Sequence, residues 1–441
     1  MNFTESVNYI YSLGNEVLAM KLGLETVTAL AAVFDNPQQK FPAIHVAGTN
    51  GKGSTAAMSE AILRSAGYRV GLYTSPNLIS ITERYRVDGR EISEDDFARL
   101  ATIVRRTGEL LVAEGRLAAV PTFFEQVTMI AYLHFAESKV DLAVLEVGMG
   151  GRLDATNICQ PLVTAITPIG FDHQQYLGNT LAEIAGEKAG IIKSNVPIVV
   201  ALQPDEAMQA ISARAEELNS PLVSVADESF TVEPSGSGRC RLLYDDYDVQ
   251  LNLRGRHQAE NALTALLIVE QLRQLGWKIE KRAIAAGLNS ANWLGRLQLI
   301  ESANLPAPIL VDGAHNPAGA ETLRNFLAEN YAGVPVTLIF GALGDKAVLE
   351  MAELLFPIAR HLILTKADNS RAVLPESMAE QTKELRQKKN RQDVVCTESL
   401  ADSLPKALDA AARVTSTDGL IVVCGSLYLA GELLKHIGPT K

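Results

Sequence analysis

The sequence predicts a two-domain α/β protein: an N-terminal domain with a doubly wound, mostly parallel sheet and an antiparallel excursion, then a smaller C-terminal α/β domain. Three observations carry this expectation. Short apolar runs alternate with helix-period segments over two long stretches, the pattern of parallel strands joined by crossover helices. The 441 residues exceed the roughly 100–200 of one ordinary domain. Hydrophobic residues at 47% and charged residues at 21% are those of a globular chain with a real core, which excludes a disordered or fibrous one.

In chain order, Met1–Leu13 mixes polar and apolar residues and lacks the basic start and continuous apolar stretch of a targeting segment. Strands are expected at Ala43–Ala47, Arg69–Thr74, Asp141–Val147, Leu162–Thr167 and Pro197–Leu202. Between the first two, Thr55–Ala66 is rich in Ala, Met, Ile and Leu and is followed by Gly67, a residue that ends helices, so the three segments form a βαβ crossover. Residues 222–254 change character, with the Gly/Ser-rich turn Pro234–Gly238 between strand-like segments, and are expected to form the antiparallel excursion. His257–Leu272 returns to helical spacing. A second βα series runs through Ile309–Val311, Val336–Phe340, His361–Thr365, Val394–Cys396 and Leu420–Cys424, with Pro375–Arg391 amphipathic between strands. The polar stretch Asn289–Gln298 separates the two series, dividing the chain into residues 1–295 and 296–441.

Forty Lys and Arg against 51 Asp and Glu give a net charge of -11, which offers no general attraction to nucleic acid or an anionic membrane. No window approaches the roughly 20 apolar residues of a membrane span. Cys159, Cys240, Cys396 and Cys424 are too dispersed for a zinc or redox pair and read as buried reduced thiols. A cytoplasmic monomer acting on small molecules is expected.

The run Ile44–Thr55 sets glycines, a lysine and hydroxyls between an expected strand and an expected helix. Glycines let backbone amides approach phosphate oxygens, a helix N-terminus adds partial positive charge, a lysine neutralises outer phosphates, and a hydroxyl can hold Mg²⁺. Gly48, Thr49, Asn50, Gly51, Lys52, Gly53, Ser54 and Thr55 are therefore candidates to bind a nucleotide. The general phosphate-loop pattern is not met in full, because its first glycine falls on Val46 and Gly53 stands where Ser or Thr should follow the lysine. The alternative is a glycine-rich turn with a solvated lysine. Ser75, Glu146 and His173 each follow an expected parallel strand, and ligands of open α/β sheets bind beyond the carboxyl ends of strands, so these three can converge on one metal. The structural alternatives are a turn cap for Ser75, an ion pair with Arg152 for Glu146 and a buried carbonyl contact for His173.

The loop His-Val-Ala-Gly-Thr-Asn-Gly-Lys-Gly-Ser resembles that of the folylpolyglutamate synthase and dihydrofolate synthase family, relatives of the muramyl-peptide ligases. Matching blocks continue in family order through Gly71–Pro76, Glu146–Asn157, Asp172-His173, Leu177-Gly178, Glu187–Lys193 and Asp312–Pro317. Asn77 departs from the family, which usually has His after Ser-Pro, and no role is assigned to it. The resemblance implies an ATP-dependent carboxylate–amine ligase that joins L-glutamate to dihydropteroate and to reduced folates through an acyl phosphate. It implies Mg²⁺, for which Mn²⁺ is a plausible substitute, held by Ser75, Glu146 and His173, with Ser54 near the nucleotide's own magnesium. It also implies that Lys188 is carbamylated and holds a second magnesium, although by composition a lysine beginning a helix is a solvated charge. Asn261, Arg296, Asp312 and His315 are implied ATP contacts, and Lys52, His173 and Lys188 the catalytic set.

Thr122-Phe123-Phe124-Glu125 and Leu153-Asp154-Ala155 are the candidate substrate groups, since an aromatic pair beside carboxylates can stack a flat pterin and accept its N–H hydrogen bonds. Phe123 and Phe124 equally continue the helix through Val127, Ile130 and Leu133, and at least one is expected in the core. These segments look like those of the bifunctional bacterial members, which implies both activities. A single-activity folylpolyglutamate synthase stays open, as do three other readings. A muramyl-peptide ligase commonly carries an extra N-terminal acceptor domain, whereas the loop here arrives by residue 48. A nucleotide-binding regulatory protein would turn over ATP without a carboxylate substrate, and a degenerate folate-binding relative is opposed by intact Lys52, Glu146, His173 and Lys188.

Overall fold

The computed structural model describes residues 1–14, 23–302, 305–385 and 397–438. Its first sheet has eight strands: β1 (Ala43–Ala47), β2 (Val70–Tyr73), β3 (Tyr85–Val87), β4 (Arg90–Glu91), β5 (Leu142–Glu146), β6 (Pro161–Ile166), β7 (Ile198–Val200) and β8 (Leu222–Ser224). They lie in the order β4-β3-β2-β5-β1-β6-β7-β8, parallel from β2 through β8, with β3 and β4 antiparallel at one edge. All five residues of β1 are buried, because helices cover both faces, and this explains why its sequence is nearly all apolar instead of alternating. Ile44 and Val46 pack under the helices Lys52–Ser65 and Arg256–Gln274. Ala43 and Ala47 face the opposite layer, built from the helices Glu94–Ala113 and Phe123–Ser138 on one side and Leu181–Ala189 and Asp205–Glu217 on the other. The chain enters at β1 and winds outward in both directions, so the crevice of this sheet opens at the carboxyl end of β1.

The expected strands form, trimmed by a residue or two at most ends. The antiparallel excursion is smaller than expected. Leu222–Ser224 extends the parallel sheet beside β7, and only β9 (Phe230–Pro234), β10 (Arg239–Tyr244) and β11 (Tyr247–Arg254) make the antiparallel sheet. An unexpected helix, Phe3–Ser12, starts the chain; Asn2 and Glu5 form its capping box, each side chain bonding the other's backbone N–H.

The second sheet comprises β12 (Gln298–Ile300), β13 (Ile309–Val311), β14 (Val336–Phe340), β15 (His361–Leu364), β16 (Thr397–Leu400) and β17 (Leu420–Cys424), in the order β12-β13-β17-β14-β15-β16. All pairs are parallel except β12 with β13. The expected strand Val394–Cys396 and the end of the amphipathic segment Pro375–Arg391 lie outside the described residues; that segment's helix runs Pro375–Gln381. Between the sheets, the helix Lys281–Ser290 ends and β12 begins within the polar stretch expected at the junction. Cys159, Cys240 and Cys424 are buried and unpaired, and Cys396 lies outside the described residues. Among the described residues no helix is long and apolar enough to cross a membrane.

Candidate active site

Beyond β1 the chain turns sharply through Gly48 (φ 143°) and Gly51 (φ 88°) into the helix that starts at Lys52. The glycines are imposed by crowding as well as by φ. A methyl group on Gly48 would stand 1.9 Å from Thr167 Oγ1, one on Gly51 2.4 Å from Asn261 Oδ1, and one on Gly53 2.9 Å from the Trp293 indole nitrogen. The indole thus fills the space that a Ser or Thr after the lysine would need, which accounts for the departure from the general pattern. The loop is fastened by the amides of Thr49 and Asn50, which donate to Pro168 O at 3.0 and 3.2 Å. Lys52 Nζ donates to Thr49 O at 3.2 Å, and burial lowers its pKa while Glu146 and Asp172 work to raise it.

This loop forms one wall of a cavity of about 280 Å³. Gly48 through Ser54, Ser75, Glu146, His173 and Lys188 all line it, as do Thr122, Phe124, Glu125, Leu153, Asp154, Ala155, Asn261, Arg296, Asp312 and His315. Two candidates do not. Thr55 is fully buried one turn into the helix, its N–H given to Gly51 O. Phe123 turns into the core, 5.8 Å from the Tyr11 ring, with the Arg84 guanidinium 5.4 Å over its face. Successive residues on a helix point about 100° apart, so Phe123 and Phe124 cannot share one face.

Glu146 closes β5 and accepts from the Ser75 amide at 3.2 Å. Arg152 pairs with Glu187 at 2.9 Å, and Glu146 borders the cavity. His173 adopts a left-handed conformation (φ 52°) ahead of the short helix Gln174–Leu177, and burial pushes its imidazole down to about 4. Lys188 sits in the last turn of the helix Leu181–Ala189, contrary to the expectation that it begins one, and is only 4% exposed. Its Nζ donates to Gly48 O at 2.7 Å, and burial, helped by the Lys52 charge, lowers its pKa to about 7. At neutral pH a large share of such an amine is uncharged, the form that reacts with CO₂. Among the described residues no group of three or more His, Cys, Asp or Glu side chains is placed to hold a metal. The expected ligands, the Ser54 and Ser75 hydroxyls, the Glu146 carboxylate and the His173 ring, all border the cavity. A small oxygen-rich set suits magnesium, which keeps several waters and relies on substrate phosphates.

On the adjoining wall Thr122 caps the helix Phe123–Ser138, and Glu125 Oε2 accepts from the Thr122 amide and hydroxyl at 2.7 and 2.8 Å. Glu125 Oε1 is buried and has no protein hydrogen-bond partner. Asp154 differs: its oxygens accept from the amides of Gly148, Met149 and Thr156 and from the Thr156 hydroxyl. These four hydrogen bonds make the carboxylate an organiser of the loop that borders the cavity.

Residues 46–269 match the family model described as Mur ligase middle domain, and residues 295–427 match that described as Mur ligase, glutamate ligase domain. The dihydrofolate synthase/folylpolyglutamate synthase of Bacillus subtilis is 36% identical over 432 residues, covering 96% of this chain and 97% of that protein. The chain belongs to the dihydrofolate synthase/folylpolyglutamate synthase family. Like the Mur ligases to which that family is related, it is an ATP-dependent, amide-bond-forming ligase. Among solved structures, Mycobacterium tuberculosis folylpolyglutamate synthase complexed with ADP superposes with a TM-score of 0.90 at 31% identity over 100% of both chains. The E. coli FolC complex with DHPP and ADP gives 0.84 at 30% identity over 99% of this chain and 98% of that one.

In this ligase the second domain reaches the phosphate loop through polar side chains. Asn316 exchanges hydrogen bonds with Asn50 at 3.3 and 2.9 Å, and Lys346 Nζ lies 2.7 Å from Asp172 Oδ1. Burial works against ionisation of Asp172, but His315, His173 and the Lys346 ammonium reverse it and hold the carboxyl well below its ordinary range. Asp312 accepts from the amides of Leu297 and Ala314, both at 2.9 Å, and so shapes the turn that presents His315. Lys346, Asn316 and Trp293 were absent from the sequence candidates. Asn316 lies inside the Asp312–Pro317 block, but Lys346 carries no signal beyond following a strand, and Trp293 none at all.

Proposed function

We propose that this chain is a bifunctional dihydrofolate synthase/folylpolyglutamate synthase, joining L-glutamate to dihydropteroate and to folylpolyglutamates at the expense of ATP. The observation that supports this reading best is one cavity bordered by the phosphate loop, by the Phe124–Glu125 wall with its unpartnered carboxylate oxygen, and by the second domain. Residues 1–295 are the nucleotide-binding unit and residues 296–441 the unit that closes over it.

In this mechanism Gly48–Thr55 and Lys52 hold the ATP phosphates, with Thr55 supporting the helix turn behind them, and Asn261, Arg296, Asp312 and His315 complete the nucleotide site. Thr122, Phe124, Glu125, Leu153 and Ala155 hold the pterin end of the acceptor, Glu125 Oε1 accepting from its N–H groups, while Phe123 and Asp154 support that wall from behind. The acceptor carboxylate attacks the γ-phosphorus and ADP leaves. The glutamate amine then attacks the acyl carbon of the acyl phosphate, its proton is lost, and inorganic phosphate departs. Lys52 and Arg296 offset charge on the transferring phosphoryl group. Magnesium, or manganese in its place, would be held by Ser54, Ser75, Glu146, His173 and a carbamylated Lys188 and would supply positive charge against the phosphates. Closure of the second domain excludes water from the acyl phosphate, which would otherwise hydrolyse. The enzyme is a cytoplasmic monomer whose partners are these small molecules, neither nucleic acid nor a membrane.

The deciding experiment is incubation with ATP, glutamate and either dihydropteroate or a reduced folate, with products identified by mass. Both glutamylated products are expected. Extension of folates without any joining of glutamate to dihydropteroate would overturn the bifunctional reading and leave a folylpolyglutamate synthase. Release of phosphate with no glutamylated product would overturn the ligase reading itself.

A further inference from the structure

The central strand β1 carries one polar side chain among apolar ones. His45 is fully buried between Leu145 of β5 and Thr164 of β6. An imidazole at that position costs stability unless its N–H is bonded. Its Nε2 lies 2.8 Å from Thr156 Oγ1, and the Thr156 hydroxyl lies 2.5 Å from Asp154 Oδ1. Asp154 accepts backbone amides on both oxygens and so acts as the acceptor for this hydroxyl too. A hydroxyl has a single proton, and it goes to Asp154. Thr156 Oγ1 must then accept from His45, which fixes the ring as the Nε2–H tautomer. Nδ1 is left as a buried lone pair without a hydrogen-bond partner.

The far end of this chain of hydrogen bonds is the turn at Gly148 and Met149, whose amides donate to Asp154 Oδ2 at 3.1 and 3.0 Å. That turn is packed to contact: a methyl group on Gly148 would meet the Phe124 ring at 2.3 Å, and one on Gly151 would meet the carbonyl oxygens of Glu187 and Lys188 at 2.8 Å. The phosphate loop leaves the same strand three residues after His45.

We propose that His45 is a positioning residue for the acceptor substrate, acting through Thr156 and Asp154 to set the Gly148–Met149 turn, and with it the Phe124 wall, relative to the phosphate loop. The proposal rests on the reading that this wall receives the pterin end of the acceptor. It explains why β1 spends a central, fully buried position on a histidine: a donor at that height of the strand ties the two substrate walls to one rigid element.

The test uses the full chain. Thr156→Val keeps the shape and removes the hydroxyl, His45→Leu removes the donor, and His45→Gln keeps an N–H at similar reach. Thr156→Val and His45→Leu should raise the KM for dihydropteroate by about tenfold, with the KM for ATP within about twofold of wild type, and His45→Gln should restore most of the difference. Selective ¹⁵N-histidine labelling of the wild-type protein should show His45 as the Nε2–H tautomer, a readout that needs no variant to fold. Wild-type KM for the acceptor in a folded Thr156→Val, equal rises in both KM values, or an Nδ1–H signature would overturn the proposal. Phe124→Ala separates the two failures. If it leaves acceptor KM unchanged, the reading of the wall is wrong; if it raises that KM while Thr156→Val does not, the relay alone is wrong.

Discussion

The two walls of the cleft are built differently. The first-domain wall hangs on strand ends and is welded together by hydrogen bonds within the domain: the buried Lys188 on Gly48 O, Asp154 on two loop amides, and Arg152 N on Glu187 O at 2.8 Å. The second-domain wall meets it through side-chain pairs across the gap, Asn316 with Asn50 and Lys346 with Asp172, and through the Leu78 carbonyl seated where a methyl on Gly431 would clash. In the proposed mechanism the loop groups about the phosphates therefore sit on one rigid element, while Arg296, Asp312 and His315 reach the nucleotide from the second domain, the arrangement expected of a closing domain.

This difference predicts where substitutions hurt most. Lys52→Ala, on the welded wall, should lower kcat by about 10²–10³-fold, the loss expected when one preorganised group facing developing charge is removed, while urea unfolding stays near wild type. Turnover at the wild-type rate would remove Lys52 from the mechanism. Lys188→Ala should also lose most activity. Short carboxylates added to that variant should restore part of it by occupying the vacated anionic position, whereas an active alanine variant together with an unmodified wild-type amine by mass would count against the carbamate.

On the closing wall the expected effect is smaller. Both partners of the Lys346–Asp172 pair are nearly buried, with 8% and 11% of their side chains exposed. Removing one partner of a buried pair costs about 2 kcal/mol at the lower end, or about thirtyfold in rate, so Lys346→Met should slow turnover by that order. Small-angle scattering with ATP analogue and acceptor should show this variant more open than wild type. Identical curves and rates for the two proteins would mean that the pair does not hold the domains together.

Sequence reading reached the welded wall more fully than the closing one, for a physical reason. Phosphate binding needs glycines, a lysine and a helix start in consecutive positions, so Gly48–Ser54 is a local pattern. Contacts across the cleft join residues that share no local pattern: Asp172 and Lys346 are 174 positions apart and answer to no periodicity. Even within the loop, Gly53 departs from the general pattern because the Trp293 indole, distant in sequence, occupies the space beside it. Lys188 reads as solvated in the sequence because its buried partner, the Gly48 carbonyl, belongs to the phosphate loop 140 positions earlier in the chain. The four hydrogen bonds that Asp154 accepts within its own loop are likewise invisible to composition.

Phe123 and Phe124 sharpen the comparison inside one wall. Phe123→Ala empties a core site and should cost about 3–5 kcal/mol of stability with little selective change in KM. Phe124→Ala removes a half-buried ring from the cavity and should raise acceptor KM more than it lowers stability. The opposite assignment in urea titrations and kinetics would mean that the helix presents the other ring to the acceptor.

The smallest effect concerns the strand on which the welded wall is built. Burial, with a further contribution from Lys193, pushes the His45 imidazole from 6.5 down to about 3. Between those values the unfolded chain binds a proton at this residue and the folded chain does not. Stability from this group is therefore fully present above about pH 6.5 and is lost as pH falls toward 3, with a limiting slope of about 1.4 kcal/mol per pH unit. His173 and His257, each pushed to about 4 by burial, contribute in the same direction, so the informative quantity is a difference. His45→Gln cannot titrate but keeps the donor, and its urea midpoint should fall less steeply than that of wild type from pH 6.5 to pH 4. Parallel curves would place the protonated imidazole within reach of the folded state, contrary to a closed chain from β1 through Thr156 to Asp154. A shallower curve with unchanged acceptor KM would show that the anchoring of the welded wall depends on the hydrogen bond and not on the imidazole itself.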